Sequence, residues 1–306
     1  MEIVVLGAGA IGSLFGAKLS VGNEVTLVAR PGHVRAMNTQ GLRIEGIESE
    51  TVCLRAVTSL DRLGPDALIL LTTKVPDSAA ALAPVAAMVR DDTTVVCLQN
   101  GLGSEQIARE ALGDRCIVLR GVTQCGAIFS GPGVIQFMAR GYTLIEPHDR
   151  SSLIAKILTT AGLDCRVSDH IDADIWHKLI VNCVVNPITA LIGCEVGGIA
   201  NPDLDPLNQL IIDECLAVGE ARGLVFETDF LHEIKEVFRP SHNIASMLQD
   251  LRRGRRTEID YMNGAVANAG REPGISCPVN SALTAIIKAM EARSLIPEKV
   301  LEAKPA

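Results

Sequence analysis

The stretch EIVVLGAGAIG, residues 2–12, decides the fold of the N-terminal part of this chain. A short β-branched run is followed at once by glycines at positions 7, 9 and 12, the GxGxxG spacing, with a helical pattern behind them. The first glycine permits a tight turn, the second lets a pyrophosphate approach the backbone, and the third lets helix and strand pack closely. The stretch therefore predicts a dinucleotide-binding βαβ unit whose helix N-terminus faces the phosphates. The predicted cofactor contacts in it are Gly7, Ala8, Gly9, Ala10, Ile11 and Gly12.

The rest of the chain separates into an alternating half and a helical half. Four more apolar runs, each followed by a helix-like or turn-like segment, predict a parallel sheet; they lie at residues 24–28, 67–73, 93–98 and 116–121. After about residue 122 a turn-rich, alternating pattern predicts antiparallel strands that close the same domain. From Ile171 onward only helical patterns occur, at 173–191, 205–222, 227–238, 243–253, 257–270 and 279–292. We predict an α/β fold with a Rossmann-type dinucleotide-binding domain at 1–168 and an all-α domain at 169–306.

The composition argues against several classes of protein. The 306 residues, 48% of them hydrophobic and 21% charged, are enough for two globular domains. A formal net charge of −8 disfavours general binding to nucleic acid or anionic membranes. The N-terminus lacks the basic region of a signal peptide, and no apolar run reaches the ~18 residues of a membrane span. Nine cysteines without a CxxC pair or Cys/His cluster predict no metal site and a reducing, cytoplasmic location. The segment Ile296 to Ala306 is typical of a weakly anchored tail.

Three polar residues near the predicted carboxyl ends of the strands are candidates for contact with a cofactor. Arg30 stands eighteen residues past Gly12, where an acidic residue normally binds the ribose of NAD(H). A guanidinium there suits a 2′-phosphate, which favours NADPH, and the alternative is a solvated surface arginine. Lys74 is either a second cation near that phosphate or an ordinary exposed lysine. Asn100, in LQNGLG (98–103), either reaches toward cofactor or substrate or bonds its own loop.

The segment WHKLIVNCVVNPITAL, residues 176–191, is typical of a buried helix and yet carries a polar stripe. Lys178, Asn182 and Asn186 are four residues apart, so they share one face of the helix. Pro187 lacks a backbone N–H, and its ring clashes with the carbonyl four residues before it, which predicts a bend or opening beside the stripe. The stripe is either a solvated helix edge or a set of ligand-binding groups.

A second unusual segment is ASMLQDLRRGRRTEIDYMNG, residues 245–264. Gly254 predicts the end of one helix. Thr257, with an acid three residues on, resembles an N-cap with its capping box, which places Glu258 in the first turn of the next helix. In that position Glu258 is either a partner of the helix dipole or a functional carboxylate.

Two more polar residues lie just before and within this segment. Asn243 and Ser246 are three residues apart, so they are predicted to share a face at the start of the preceding helix, either as ligands or as caps. The basic run RRGRR (252–256) is expected to be a solvated corner rather than a nucleic-acid site, because the chain is acidic and has no other basic cluster.

In this order and spacing, GAGAIG, LQNG, WHKLIVNCVVNPITAL and SMLQD with RRTEIDYMNG resemble the ketopantoate reductase (2-dehydropantoate 2-reductase) family over essentially the whole chain. The resemblance implies a Rossmann domain, a C-terminal domain related to that of 6-phosphogluconate dehydrogenase, and an active site in the cleft between them. It also implies NADPH-dependent reduction of 2-dehydropantoate to pantoate in pantothenate and coenzyme A biosynthesis. The implied catalytic residues are Lys178 and Glu258. The implied substrate-binding residues are Asn100, Asn182, Asn186, Asn243 and Ser246, and the implied cofactor positions are Gly7, Gly9, Gly12, Arg30 and Lys74.

The sequence departs from the family at one position and leaves an alternative function open. Asp77, in TTKVPDS, stands where better-known members carry glutamine. Another branched 2-oxo acid is the nearest alternative substrate, because a pocket discriminates one methylene by only ~10- to 200-fold. A non-catalytic NADPH-binding regulatory protein would be expected to lack Lys178 or Glu258, and both are present. We expect a small 2-oxo acid as partner, no nucleic acid or membrane, and a homodimer as the candidate assembly.

Overall fold

The computed structural model describes residues 1–294, so the predicted tail at Ile296 to Ala306 lies outside the described residues. The chain divides into two compact units. Unit 1 comprises Met1–Gln99 and Gly103–Asp174, and unit 2 comprises Asn100–Leu102 with the residues from Ile175 onward. Asn100–Leu102 therefore belongs with the C-terminal unit, although it lies in the N-terminal half of the sequence.

Within residues 1–294, unit 1 contains all the strands and the whole of five α-helices. The strands are β1 (Glu2–Leu6), β2 (Glu24–Val28), β3 (Leu42–Gly46), β4 (Glu50–Val52), β5 (Arg55–Val57), β6 (Leu68–Leu71), β7 (Thr94–Cys97), β8 (Ile117–Thr123), β9 (Gly126–Gly131), β10 (Val134–Ala139), β11 (Thr143–Ile145) and β12 (Cys165–Val167). The helices are α1 (Ala10–Leu19), α2 (Pro31–Gln40), α3 (Ser78–Leu82), α4 (Ser104–Leu112) and α5 (Ser151–Thr160).

The main sheet of unit 1 has the strand order β12-β11-β8-β7-β6-β1-β2-β5. The six strands from β8 to β5 in this order run parallel, and β11 is antiparallel to β8. All residues of β6 and β7 are buried, as expected for parallel strands covered on both faces. The predicted parallel sheet is confirmed. Because β1 lies between β2 and β6, the loop after β1 has the carboxyl ends of both neighbours beside it.

A second, smaller sheet with the order β4-β3-β10-β9 was not predicted. The turn-rich segment after residue 122 forms the antiparallel pair β9 and β10, but β10 then pairs in parallel with β3 instead of joining the main sheet. The sequence did not reveal β3 because its buried residues, Leu42 and Ile44, alternate with polar ones over only five positions. Such a short alternating run is weak evidence for a strand until its pairing partner is known.

Unit 2 is helical throughout its described part. Its helices are α6 (Ile171–Ile192, whose residues from Ile175 onward belong to unit 2), α7 (Asp205–Ala221), α8 (Phe230–Phe238), α9 (Ser246–Arg252), α10 (Asn263–Ala269) and α11 (Pro278–Ser294). The predicted helix at 257–270 is wrong in part. A 3₁₀ helix at Ile259–Tyr261 is separated from α10 by Met262, whose φ of −110° and ψ of −102° are not helical.

Helix α6, with 22 residues, carries the polar stripe. Its apolar residues join the buried core of that unit; among them are Trp176, Leu179, Ile180, Cys183, Val184 and Ile188. By length and composition α6 could also cross a membrane, contrary to the expectation from the sequence. Its length and composition are weak evidence for a membrane span, because 61% of its most apolar 18-residue stretch is buried inside the protein, as in the core helix of a globular domain.

Helix α6 continues through Pro187 because a distant side chain replaces the missing backbone hydrogen bond. Proline has no N–H to donate to the carbonyl of Cys183. Nδ2 of Asn263 donates to that carbonyl at 2.9 Å, and also to Oδ1 of Asn280 at 2.9 Å. Nδ2 of Asn280 in turn donates to Glu214 at 2.7 Å. The helix therefore does not open at Pro187, and the polar stripe stays on a continuous α-helix.

We expect Asn263→Ala to lower the free energy of unfolding by about 2–4 kcal/mol, because it leaves a buried carbonyl unsatisfied and creates a cavity. Combined with Pro187→Ala, it should cost at least ~1 kcal/mol less, since alanine at that position restores the N–H for the Cys183 carbonyl. A double-mutant cycle in urea denaturation measures this coupling. Strictly additive losses would show that Asn263 does not serve the carbonyl freed by Pro187.

Candidate active site

The three glycines of the loop after β1 leave room where a side chain would block it. Gly7 has φ +98°, and a Cβ on it would lie 2.5 Å from the backbone nitrogen of Thr73. A Cβ on Gly12 would lie 2.4 Å from Oγ1 of Thr72. A Cβ on Gly9 would meet only the carbonyl of Gly7, at 3.9 Å. The first and third glycines are thus required by packing, and the second leaves an open approach to the backbone, as a pyrophosphate needs.

The loop is held in place and ends in a helix N-terminus suited to an anion. The backbone N–H groups of Gly7 and Ala8 both donate to the carbonyl of Val28, at 3.1 and 3.0 Å. Helix α1 begins at Ala10, and its first turn carries no acidic side chain. The first N–H groups of a helix have no partner within the helix, and its positive end attracts phosphate. The loop and the first residues of α1, including Ile11, therefore fit the pyrophosphate of a dinucleotide.

Three charged side chains lie beyond the ends of the strands that flank β1. Arg30 is two residues past β2, at the N-cap of α2, and is 79% exposed. Lys74 is three residues past β6, half-buried, at the start of a 3₁₀ helix over Val75–Asp77. Nη2 of Arg30 lies 3.7 Å from Oδ2 of Asp77. The departure from the family pattern at Asp77 therefore places a carboxylate directly beside the predicted selector of the 2′-phosphate.

His33, which the sequence did not single out, connects the phosphate loop to the smaller sheet. Its ring is buried, with Nδ1 accepting from the N–H of Gly133 at 2.8 Å. The proton of the neutral ring therefore lies on Nε2, which donates to Oγ of Ser13 at 3.0 Å. That hydroxyl donates to the carbonyl of Ala8 at 3.3 Å. Edge-on packing against Phe129, with ring centroids 4.9 Å apart, completes the pocket.

Burial lowers the pKa of His33 below its usual value, and protonation would also set an N–H against the N–H of Gly133. The contribution of neutral His33 to the free energy of unfolding should thus be fully present above the unfolded-state pKa of ~6.5. It should fall as the pH drops toward the folded-state pKa, by at most ~1.4 kcal/mol per pH unit. Urea denaturation at pH 7.5, 6.5 and 5.5 measures this slope. His33→Gln should flatten it, whereas His242→Gln, at an exposed position, should not. Parallel curves for His33→Gln and the wild type would contradict this role.

In unit 2 the polar stripe of α6 is more buried than a solvated helix edge. Lys178 and Asn182 are half-buried, and Asn186 is only 5% exposed. Nδ2 of Asn182 is buried, and it has no hydrogen-bond partner in the described part of the chain. Nδ2 of Asn186 donates to the sulfur of Met262 at 3.5 Å, a weak acceptor. A buried unpaired amide donor is costly, so the stripe is suited to receive oxygen atoms of a ligand.

Asn100 and Glu258 belong to the same unit as the stripe. The N–H of Leu102 donates to the carbonyl of Tyr261 at 2.9 Å. Gly101, with φ +85°, permits this approach, because a Cβ on it would lie 2.2 Å from that carbonyl oxygen. The N–H of Tyr261 donates to the carbonyl of Glu258 at 2.9 Å. The segment that begins with Asn100 is thus fixed against the 3₁₀ helix that follows Glu258.

The predicted capping box around Glu258 is wrong, because the backbone N–H of Thr257 bonds a different acid from the one predicted. Thr257 does bond the backbone two residues on, but its own N–H donates to Glu291 of α11 at 2.6 Å. Asp260, the predicted capping acid, instead pairs with Lys288 at 2.9 Å. Glu258 precedes a single 3₁₀ turn rather than lying in the first turn of an α-helix. The interpretation of Glu258 as a helix-dipole partner therefore loses its structural basis.

The predicted helical face shared by Asn243 and Ser246 is also wrong. Helix α9 begins at Ser246, which is exposed, and Asn243 lies in the non-helical segment before it, where its carbonyl accepts from the N–H of Val196 at 2.8 Å. Neither side chain caps α9, whose N-cap is Ala245. The predicted helix end at Gly254 is confirmed by its φ of +58°, and the four arginines of the RRGRR corner (252–256) are exposed, as expected.

All nine cysteines are free thiols, and five of them are buried. Burial raises the pKa of Cys165 to about 12 and that of Cys277 to about 11, so both stay protonated at neutral pH. Within residues 1–294 no group of three His, Cys, Asp or Glu side chains is placed to hold a metal ion.

Comparison with known proteins places the chain. The pattern of the family described as "Ketopantoate reductase PanE/ApbA" matches residues 3–150, and that of "Ketopantoate reductase PanE/ApbA C terminal" matches residues 170–291. The chain belongs to the ketopantoate reductase family. It is 39% identical over 301 residues to the 2-dehydropantoate 2-reductase of Pyrococcus horikoshii, covering 95% of this chain and 98% of the relative.

Solved structures with the same fold include two informative neighbours. A PanE/ApbA family ketopantoate reductase from Ralstonia eutropha JMP134 has a TM-score of 0.90 at 30% identity, covering 97% of this chain and 100% of that one. A D-mandelate dehydrogenase solved with NADH and anilino(oxo)acetate has a TM-score of 0.89 at 27% identity, with the same coverage. The predicted fold class is confirmed, and this family member is a dinucleotide-dependent oxidoreductase acting on a small molecule.

Proposed function

We propose that the chain reduces 2-dehydropantoate to pantoate with NADPH, as a step of pantothenate and coenzyme A biosynthesis. The observation that carries this proposal is the partly buried stripe of α6, which combines the ammonium of Lys178 with the buried, unpaired Nδ2 of Asn182. The choice of substrate is supported by relatives named 2-dehydropantoate 2-reductase, which are up to 39% identical to this chain. The cytoplasmic location, supported by the free thiols, and the homodimer belong to the proposal as well.

Lys178 is the proposed proton donor. Reduction of a 2-oxo acid adds a hydride to the carbonyl carbon and a proton to the carbonyl oxygen, and the bound nicotinamide cofactor supplies the hydride. The Lys178 ammonium stabilises the negative charge that develops on the oxygen and then donates its proton. Positioned proton transfer of this kind is typically worth ~10² to 10⁴ in rate.

The substrate is held by neutral donors and one carboxylate. The unpaired Nδ2 of Asn182 donates to a substrate oxygen, which removes the cost of leaving a buried amide unsatisfied. Glu258 accepts from the substrate hydroxyl or orients Lys178. None of the residues proposed for substrate contact is an arginine, so the substrate carboxylate also depends on carboxamide and hydroxyl donors. The further residues proposed for substrate contact are Asn100, Asn186, Asn243 and Ser246.

The N-terminal unit supplies the proposed cofactor contacts. Its open loop at Gly9 and the first turn of α1 fit the pyrophosphate, and Arg30 with Lys74 provides positive charge for a 2′-phosphate. Asn100 is a further proposed contact. The location of the reaction between the two domains, which the family resemblance implies, is part of the same proposal.

A steady-state assay with NADPH and a panel of 2-oxo acids tests the function. We expect the highest kcat/KM for 2-dehydropantoate, at least ~10-fold above branched 2-oxo acids that lack its hydroxyl, because Glu258 would lose its hydrogen-bond partner. A higher kcat/KM for another panel member would replace 2-dehydropantoate as the substrate. An enzyme that binds NADPH but reduces no 2-oxo acid would contradict the proposal altogether.

A second candidate function is reduction of a different 2-oxo acid. The neighbour named D-mandelate dehydrogenase favours it, because that structure shares the fold at a TM-score of 0.89 and 27% identity. Mandelate is a 2-hydroxy acid, so the corresponding substrate is phenylglyoxylate, which belongs in the panel. Preference for phenylglyoxylate would select this candidate over the first.

A further inference from the structure

The region beyond the carboxyl end of β2 contains both a cation and an anion. In a Rossmann fold this is where the adenosine ribose is recognised: an acid there bonds the 2′-hydroxyl of NAD(H), and an arginine bonds the 2′-phosphate of NADP(H). Arg30 occupies this position, two residues past β2. Asp77 follows a different strand, β6, and its side chain lies beside that of Arg30. Nη2 of Arg30 and Oδ2 of Asp77 are 3.7 Å apart. The acid that favours NAD(H) and the arginine that favours NADP(H) are therefore both present.

The strand order explains how Asp77 reaches this place. β2 and β6 both neighbour β1, so they lie about 9–10 Å apart across the sheet. Arg30 follows β2 and Asp77 follows β6, and the two side chains meet beyond the end of β1, where the phosphate loop begins. Both are mostly exposed, at 79% and 58%, so this ion pair contributes little to folding. Its consequence is for a ligand bound at the loop.

The two cofactors present opposite chemistry to this pair. The 2′-phosphate of NADPH is an anion of about −1.5 to −2 charges, which Arg30 attracts and Asp77 repels. The 2′-hydroxyl of NADH is a neutral donor, for which a carboxylate is a good acceptor and a guanidinium is not. Asp77 also competes with the phosphate for the donors of Arg30. Every effect of Asp77 thus favours NADH relative to NADPH.

We propose that Asp77 is a specificity-determining residue that reduces the preference of the enzyme for NADPH over NADH, so that NADH is a second working cofactor. The inference rests on the proposed function for its assignment of Arg30 to the 2′-phosphate. Lys74 acts in the opposite sense, because a second cation strengthens NADPH binding, but it supplies no acceptor for a 2′-hydroxyl, which Asp77 does.

The test compares the two cofactors in wild type and Asp77→Asn. The Kd for NADPH and for NADH is measured by nicotinamide fluorescence, and kcat/KM is measured for each cofactor with 2-dehydropantoate. We expect wild-type Kd values for the two cofactors within about 30-fold of each other, and a ratio Kd(NADH)/Kd(NADPH) that rises at least ~10-fold in Asp77→Asn. Both Kd values should change in Asp77→Asn: NADPH should bind more tightly and NADH more weakly.

A matched control separates this local effect from the change in net charge. Asp66 is also exposed and paired with an arginine, Arg150, at 2.9 Å. It precedes β6, however, and so lies at the amino end of that strand, whereas Asp77 lies beyond its carboxyl end. Asp66→Asn removes the same charge and should leave the Kd ratio unchanged. Arg30→Ala should lower the ratio Kd(NADH)/Kd(NADPH), because it removes the phosphate partner and leaves the carboxylate.

The outcomes distinguish this inference from the proposed function. A Kd ratio within about twofold of wild type in Asp77→Asn overturns the inference, whatever the substrate. An equal rise in Asp66→Asn overturns it too, since the effect would then be general electrostatics. If the ratio shifts as expected while 2-dehydropantoate is not reduced, the proposed substrate fails and the role of Asp77 stands, because cofactor binding is measured without substrate.

Discussion

Lys178→Ala is expected to lower kcat for 2-dehydropantoate by at least ~10²-fold while the Kd for NADPH stays near that of wild type. The ammonium acts on the carbonyl oxygen, where negative charge develops only as the hydride is transferred. Its loss therefore removes stabilisation of the transition state rather than of the cofactor complex. Single-turnover kinetics with NADPH fluorescence separates the two quantities in one experiment.

Two further variants define what Lys178 contributes. Lys178→Arg keeps the positive charge, but guanidinium does not release its proton near neutral pH. It should thus recover part of the electrostatic stabilisation and none of the proton donation. Lys156→Ala removes an exposed lysine of α5 and should leave kcat unchanged. An unchanged kcat in Lys178→Ala would remove Lys178 from the reaction.

Glu258→Gln is expected to lower kcat/KM for 2-dehydropantoate by about 10²-fold, because the neutral amide keeps the shape of the side chain but weakens the bond to the substrate hydroxyl. The melting temperature should hardly change. Glu258 does not lie in the first turn of an α-helix, and the backbone around it is held by Thr257 and Tyr261. The measurement pairs steady-state kinetics with thermal denaturation of the same preparation.

The control for this variant is Glu272→Gln, at an exposed position of the same unit, which should alter neither quantity. NADPH binding should persist in Glu258→Gln, because the proposed cofactor contacts lie mainly in the other unit. A lower melting temperature with intact kcat/KM would identify Glu258 as a purely structural acid.

The local features of this chain could be predicted from its sequence because each depends on neighbouring residues. The run EIVVL followed by glycines at three fixed spacings specifies a strand, a turn and a helix within about twelve positions. The stripe of Lys178, Asn182 and Asn186 follows from helical periodicity, and its residues do lie on one continuous helix. The end of α9 just before Gly254 follows from the freedom of glycine to adopt a positive φ.

Helix starts were less well determined, because an N-cap competes with tertiary contacts for the same backbone groups. Thr257 was predicted to bond an acid three residues on, but a carboxylate of α11, Glu291, takes its N–H instead. Asn243 was predicted within α9, but its carbonyl bonds Val196, and the helix begins at Ser246. In both cases a residue far along the chain supplied a better partner than the local one.

The sequence by itself determined the class of fold, the phosphate loop and the polar stripe, whereas the tertiary structure decided which distant groups act together. Asn263 supplies the hydrogen bond that Pro187 withholds from a carbonyl 80 residues away, and His33 bonds a hairpin 100 residues away. Asp77 meets Arg30 only because β2 and β6 flank β1. The reason is physical: helical and turn preferences act over a few residues, but a buried or charged group takes its partner from whichever segment the packing of strands and helices brings beside it.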